Sequence, residues 1–138
     1  MPRTLRSFAA SVLALVVCLT AGRVLAADPP IKELILPGEA FLVEGRPAFI
    51  FLPPEGKRSK PQPWIMYGPT LPGYPDSHEK WMHEQFLAAG VAVAGIDAGE
   101  GYGSPESQAK FSALYTEMTE KRGYAQKPCL LEIGRAHV

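Results

Sequence analysis

Cysteine is scarce: Cys18 and Cys129 are the only two in 138 residues, which excludes a scaffold built on disulfides. Neither sign of charge dominates, with 14 basic and 14 acidic side chains, so nothing in the composition calls for a nucleic-acid partner. Spanning a bilayer takes about 20 consecutive apolar residues, and the longest apolar run, Phe8 to Gly22, is shorter than that. A strong polar bias is missing too. Apolar residues make up 46% and charged ones 20%, enough apolar material for a packed core and too much for a disordered chain. The length allows one domain at most.

The two ends read differently from the middle. Met1-Pro-Arg3-Thr-Leu-Arg6, the apolar run from Phe8 to Gly22 and the small-residue stretch Val24-Leu25-Ala26 are the three parts of a secretory signal peptide, cut after Ala26 or Ala27. Residues 1–26 are therefore expected to be a leader, and the mature protein to be secreted or periplasmic, with no membrane association after cleavage. The cut takes Arg3, Arg6 and Arg23 with it, leaving 11 basic against 14 acidic side chains, a net charge of −3, and Cys129 as the one thiol. At the other end, Glu132-Ile-Gly-Arg-Ala-His-Val138 matches the translation of a common sequencing adapter, GAG ATC GGA AGA GCA CAC GTC, whose next codon is a stop. Residues 133–138 are expected to be a non-native tail, with 27–132 the native domain portion and the native frame continuing past Leu131.

Between these ends the pattern is strand-like first and then alternating. Phe41-Leu-Val43 and Ala48-Phe-Ile-Phe-Leu52 are short β-prone runs joined by Glu44-Gly45-Arg46-Pro47, which predicts a hairpin. The Pro- and Lys-rich stretch from Pro53 to Pro63 reads as a solvated turn. Trp64-Ile-Met-Tyr67 predicts a strand ended by Gly68-Pro69. Asp76 and Glu79 have capping-box spacing before a helix that closes at Gly90, with Met82, Phe86 and Ala89 as its apolar stripe and Trp81 beside it. Val91 to Ile96 is apolar at every position, as a strand covered on both faces requires. Ser104, Pro105 and Glu106 then open a second helix, striped by Phe111, Leu114, Tyr115 and Met118 and closed by Gly123. Cys129-Leu-Leu131 begins a further strand. Trp64, Trp81, Phe86 and Phe111 are the expected core aromatics.

The hairpin, the strand ending in a Gly-Pro loop, the helix, the apolar strand ending in Asp97, the turn D-x-x-x-G-Y-G-S and the returning helix together resemble the amino-terminal half of an α/β-hydrolase. More narrowly, they are similar to secreted bacterial hydrolases of the prolyl-oligopeptidase and acyl-esterase type, over about Phe41 to Leu131. The resemblance implies an α/β chain with a partial α/β-hydrolase fold: a hairpin, then parallel strands with crossover helices, stopping before the nucleophile elbow. It also implies acyl transfer on an ester or peptide-like substrate, with a Ser on a G-x-S-x-G turn, an acid and a His following in chain order. All three would lie past Leu131, so no catalytic residue is assigned and the 138-residue chain is expected to be inactive.

Half of an oxyanion hole would come from the loop after the first parallel strand. Pro69 has no N–H to donate, which leaves the backbone N–H of Thr70 or Leu71. No cofactor and no metal are implied: His78 and His83 stand five apart, a poor spacing for sharing a helix face, and read as surface residues. Asp97 is expected to hydrogen-bond the turn that follows it, and Glu100 to be a solvated loop acid. Gly99-x-Gly101-x-Gly103 does not have the G-x-G-x-x-G spacing of a dinucleotide loop. Two other readings stay open: a noncatalytic binding protein on the same scaffold, and an exported carbohydrate-binding β-domain. The second expects strands where Glu79 to Ala89 and Glu106 to Arg122 read as helices.

Overall fold

The computed structural model describes residues 31–68 and 73–133. The leader, Thr70, Leu71 and residues 134–138 therefore lie outside the described residues. The elements run β1 (Gly38–Val43), β2 (Arg46–Phe51), β3 (Trp64–Gly68), α1 (Lys80–Ala88), β4 (Ala92–Ile96), α2 (Pro105–Thr116) and β5 (Cys129–Glu132). One sheet holds all five strands in the order β1-β2-β4-β3-β5.

The hairpin turn at Glu44-Gly45 needs left-handed backbone, and both residues adopt it (φ 49° and 76°). The second is a glycine, for which such a φ carries no steric cost. β1 pairs antiparallel with β2, and β2 pairs antiparallel with β4, placing Ala48 opposite Ile96 and Phe51 opposite Val93. β3 then runs parallel to both β4 and β5.

The expected partial α/β-hydrolase fold is corrected by this arrangement. The described residues form a small mixed sheet, strand-rich and strand-first, with five strands and only two α-helices. Continuous apolarity in Val91 to Ile96 reports burial on both faces and says nothing about the direction of the neighbours. One of those neighbours, β2, is antiparallel.

The connections β3-α1-β4 and β4-α2-β5 move in opposite directions along the sheet, so crossovers of one hand must lie on opposite faces. The core divides accordingly. On one face Phe41, Val43, Ala48, Ile50, Trp64, Met66, Ala94 and Ile96 pack against Phe111 and Leu114 of α2 and Met118 just after it. On the other, Phe49, Phe51, Ile65, Tyr67 and Val93 pack against Leu87 of α1, with Leu34 to Leu36 alongside. No helix among the described residues is long and apolar enough to cross a membrane.

Both helices depart in detail from the sequence pattern. Asp76 does not cap α1; its Oδ1 accepts from the N–H of His78 at 2.8 Å, and the helix starts four residues later at Lys80. The buried side chains of α1 are His83 and Leu87, a pair four apart, while Trp81 is 71% exposed. The helix is therefore rotated from the Met82–Phe86–Ala89 stripe, and Trp81 is not core. α2 starts at Pro105 with the Ser104 Oγ accepting from the Ser107 N–H at 3.3 Å, and it ends in a π-turn over Glu117–Lys121.

Trp64 fills the α2 side of the sheet, and its indole Nε1 donates to the Ala125 carbonyl at 2.8 Å, tying the chain ahead of β5 to the start of β3. Trp64→Ala should cost about 3–5 kcal/mol of unfolding free energy in urea titrations. A loss under about 1 kcal/mol would contradict this packing.

Candidate functional site

Loops after β3 and β4 leave the sheet at the carboxyl ends of parallel strands, where open sheets with crossover helices place their ligands. Four features lie at this end. Tyr67, fully buried near the end of β3, donates its hydroxyl to Glu79 Oε2 at 2.7 Å. The bond joins β3 to the residue just before α1. Burial first, and then the neighbouring Glu79 carboxylate, push the Tyr67 phenol above its ordinary pKa, so it is a hydrogen-bond donor at any physiological pH.

Asp97 follows the last residue of β4. Its partner is not the following turn, as expected from sequence, but Lys32: Nζ lies 2.6 Å from Oδ1, with the two side chains 3% and 11% exposed. The Asp97 backbone N–H donates to the Pro47 carbonyl at 2.8 Å. Burial raises the Asp97 carboxyl above its usual value, and the Lys32 ammonium works against that rise. Lys32 also sits 5.9 Å from the Phe49 ring centroid. Nothing local to Lys32 in the sequence announces this role, because the partner is 65 residues away.

The turn from Asp97 to Ser104 is conformationally demanding. Tyr102 takes a left-handed φ of 47°, unusual for a side chain of this size. Its hydroxyl bonds Glu100 Oε2, and both residues are exposed. Gly101 packs so closely on Ser107 that a Cβ would come within 2.2 Å of the Ser107 Cβ, so this position accepts only glycine without rearrangement. Lys110 closes the turn from α2, bonding the Ala98 carbonyl at 3.0 Å and Glu106 at 2.8 Å.

β5 reaches the same end. Gly68 stands opposite Glu132, and the Ile133 N–H donates to the Gly68 carbonyl at 2.8 Å. β5 thus ends beside the end of β3.

Among the described residues, neither Ser104 nor Ser107 is hydrogen-bonded to a histidine. Ser104 and Ser107 spend their hydroxyls on the start of α2, with Ser107 Oγ donating to the Ser104 carbonyl at 2.9 Å. His78 is exposed, whereas His83 is fully buried, which corrects its surface assignment; neither ring nitrogen of His83 has a hydrogen-bond partner. No group of three or more His, Cys, Asp or Glu side chains among the described residues could hold a metal ion. Farther away, at the amino end of β3, a groove of about 600 Å³ is lined by Arg58, Lys60, Arg122 and Tyr124. Arg122 is committed there: it grips Glu39 through both terminal nitrogens at 3.0 and 3.1 Å, bonds Glu117 at 3.0 Å, and stacks on Phe41.

No protein-family model, curated protein or solved structure matches this chain.

The Lys32–Asp97 pair generates a test. Removing one partner of a buried ion pair leaves an uncompensated charge and costs about 3–5 kcal/mol. Lys32→Met should lose an amount of that order at pH 7. The deficit relative to the parent should shrink as pH falls, because protonating Asp97 removes the stranded charge. Lys32→Met combined with Asp97→Leu should be less damaging than the sum of the single changes. Additive losses in thermal or urea melts would contradict the pairing.

Proposed function

We propose that this chain belongs to an exported serine hydrolase that cleaves an ester or peptide-like acyl bond, and that residues 27–132 supply one wall of its site. The reading rests on the register at the carboxyl end of the sheet, not on the fold expectation corrected above. Gly68 of β3 and Glu132 of β5 are paired, so the residue that follows β5 and the loop with Thr70 and Leu71 come off adjacent strands at one level. An acyl-transfer site uses such an arrangement: a nucleophile at one strand end and a backbone N–H donor at the next, both within reach of the same carbonyl.

The chemistry assigns the parts. A serine hydroxyl attacks only when a neighbouring imidazole takes its proton. The negative charge that develops on the substrate oxygen needs backbone donors already in position, each worth about 3–4 kcal/mol in the transition state. Thr70 or Leu71 is the proposed donor, since Pro69 cannot be. The Tyr67–Glu79 hydrogen bond and the Asp97–Lys32 pair support the two loops without touching the reacting atoms. The proposed substrate is small or peptide-like and the proposed location outside the cytoplasm, the latter from the leader alone. The carbohydrate-binding β-domain reading fits less well, because α1 and α2 occupy segments where it expects strands.

Resequencing the gene past the codon for Leu131 and expressing its full product tests this. The continued chain should hydrolyse p-nitrophenyl acetate, and the 138-residue chain should not. Thr70→Pro or Leu71→Pro, whichever removes the donor, should lower kcat by roughly 100- to 1,000-fold with a folded protein by circular dichroism. A continued frame with no Gly-flanked Ser soon after β5, or turnover by the 138-residue chain itself, would overturn the reading.

A further inference from the structure

We propose that His83 is an acid-sensitive latch that holds α1 on the sheet while neutral and releases it when protonated. The geometry carries the inference. His83 is 0% exposed, and both Nδ1 and Nε2 lack a hydrogen-bond partner. Its ring makes edge-to-face contacts with two aromatic rings of the sheet, with centroids 5.1 Å from Tyr67 at 83° and 5.5 Å from Phe51 at 65°.

Among the described residues, no acceptor is hydrogen-bonded to either ring nitrogen. From β2 comes Phe51, which has none. From β3 comes Tyr67, whose hydroxyl donates to Glu79 and makes no hydrogen bond to the imidazole. Just before α1, Glu79 accepts from that hydroxyl, while on the helix Lys80 and Glu84 form an exposed pair with each other at 3.9 Å. From the segment after β2, Pro53 is buried with no donor or charge, and Arg58 turns its Nε to the Pro53 carbonyl at 2.8 Å. Two aromatic rings could favour a cation by about 0.5–2 kcal/mol, but an unpaired buried charge costs more than that. Burial accordingly lowers the imidazole from an ordinary 6.5 to about 4.

The direction follows from linkage. The unfolded or opened state takes up a proton near pH 6.5 and the closed state only near pH 4, so the stabilisation is complete above pH 6.5 and is lost as pH falls towards 4. His83 and Leu87 are the two buried residues of α1, so the cost falls on the contact between this helix and the sheet. α1 also ends the connection that carries Thr70 and Leu71. That the release would loosen the oxyanion donor rests on the function proposed above, whereas the latch itself does not.

Hydrogen exchange followed by mass spectrometry reads the latch without any enzymatic activity, so failure of the hydrolase reading would leave it untouched. After correction for intrinsic exchange, opening at the α1 amides of the 138-residue chain should rise about 30-fold between pH 7.5 and pH 5. In His83→Leu the rise should vanish. An equal rise in both proteins, or none in the parent, would overturn the proposal. Should His83→Leu not fold, the ring titration of isotope-labelled His83 in the parent decides: a midpoint below pH 5 supports the latch and one near 6.5 refutes it.

Discussion

β4 consists of Ala92, Val93, Ala94, Gly95 and Ile96, and none of the five meets solvent. A strand with no polar side chain must be covered above, below and on both edges, because its backbone donors and acceptors are as costly to strand as its side chains are to expose. The rest of the architecture meets that demand. β2 and β3 take the two edges, α1 and α2 take the two faces, and the small side chains of β4 let both layers approach closely. β1 and β5 are then the outer strands.

The elements were largely legible in the sequence and their assembly was not. The Glu44-Gly45 turn and the Ser104-Pro105 helix start are local signals, read from a few adjacent residues whose conformational preferences agree with the fold. The side on which the hairpin joins the sheet is not local. The β2–β4 pairing depends on two runs about 45 residues apart, and apolar alternation carries no sign for strand direction. Helix rotation failed for a related reason. Met82, Phe86 and Ala89 and the pair His83 and Leu87 are both helical stripes, and only the tertiary environment, in which the Phe51 and Tyr67 rings accept an imidazole, selects the second.

The candidate site divides the same way. Asp97 and the glycine-rich turn were visible at a strand end, but the partner that neutralises Asp97 comes from Lys32, in a stretch with no pattern of its own. Lys32 thereby holds the segment before β1 against the carboxyl end of β4, the end of the sheet proposed as the site. Tyr67 does the same for α1 through Glu79. Both contacts lie at the end of the sheet where Gly68 of β3 stands opposite Glu132 of β5.

The most direct test of the functional account is to resequence the gene past the codon for Leu131 and map the adduct of a fluorophosphonate probe on its full product by peptide mass spectrometry. The account predicts a single labelled serine, flanked by glycines and lying just after β5, next to the loop of Thr70 and Leu71. An adduct on Ser104 or Ser107, or no adduct in a folded protein, would contradict it.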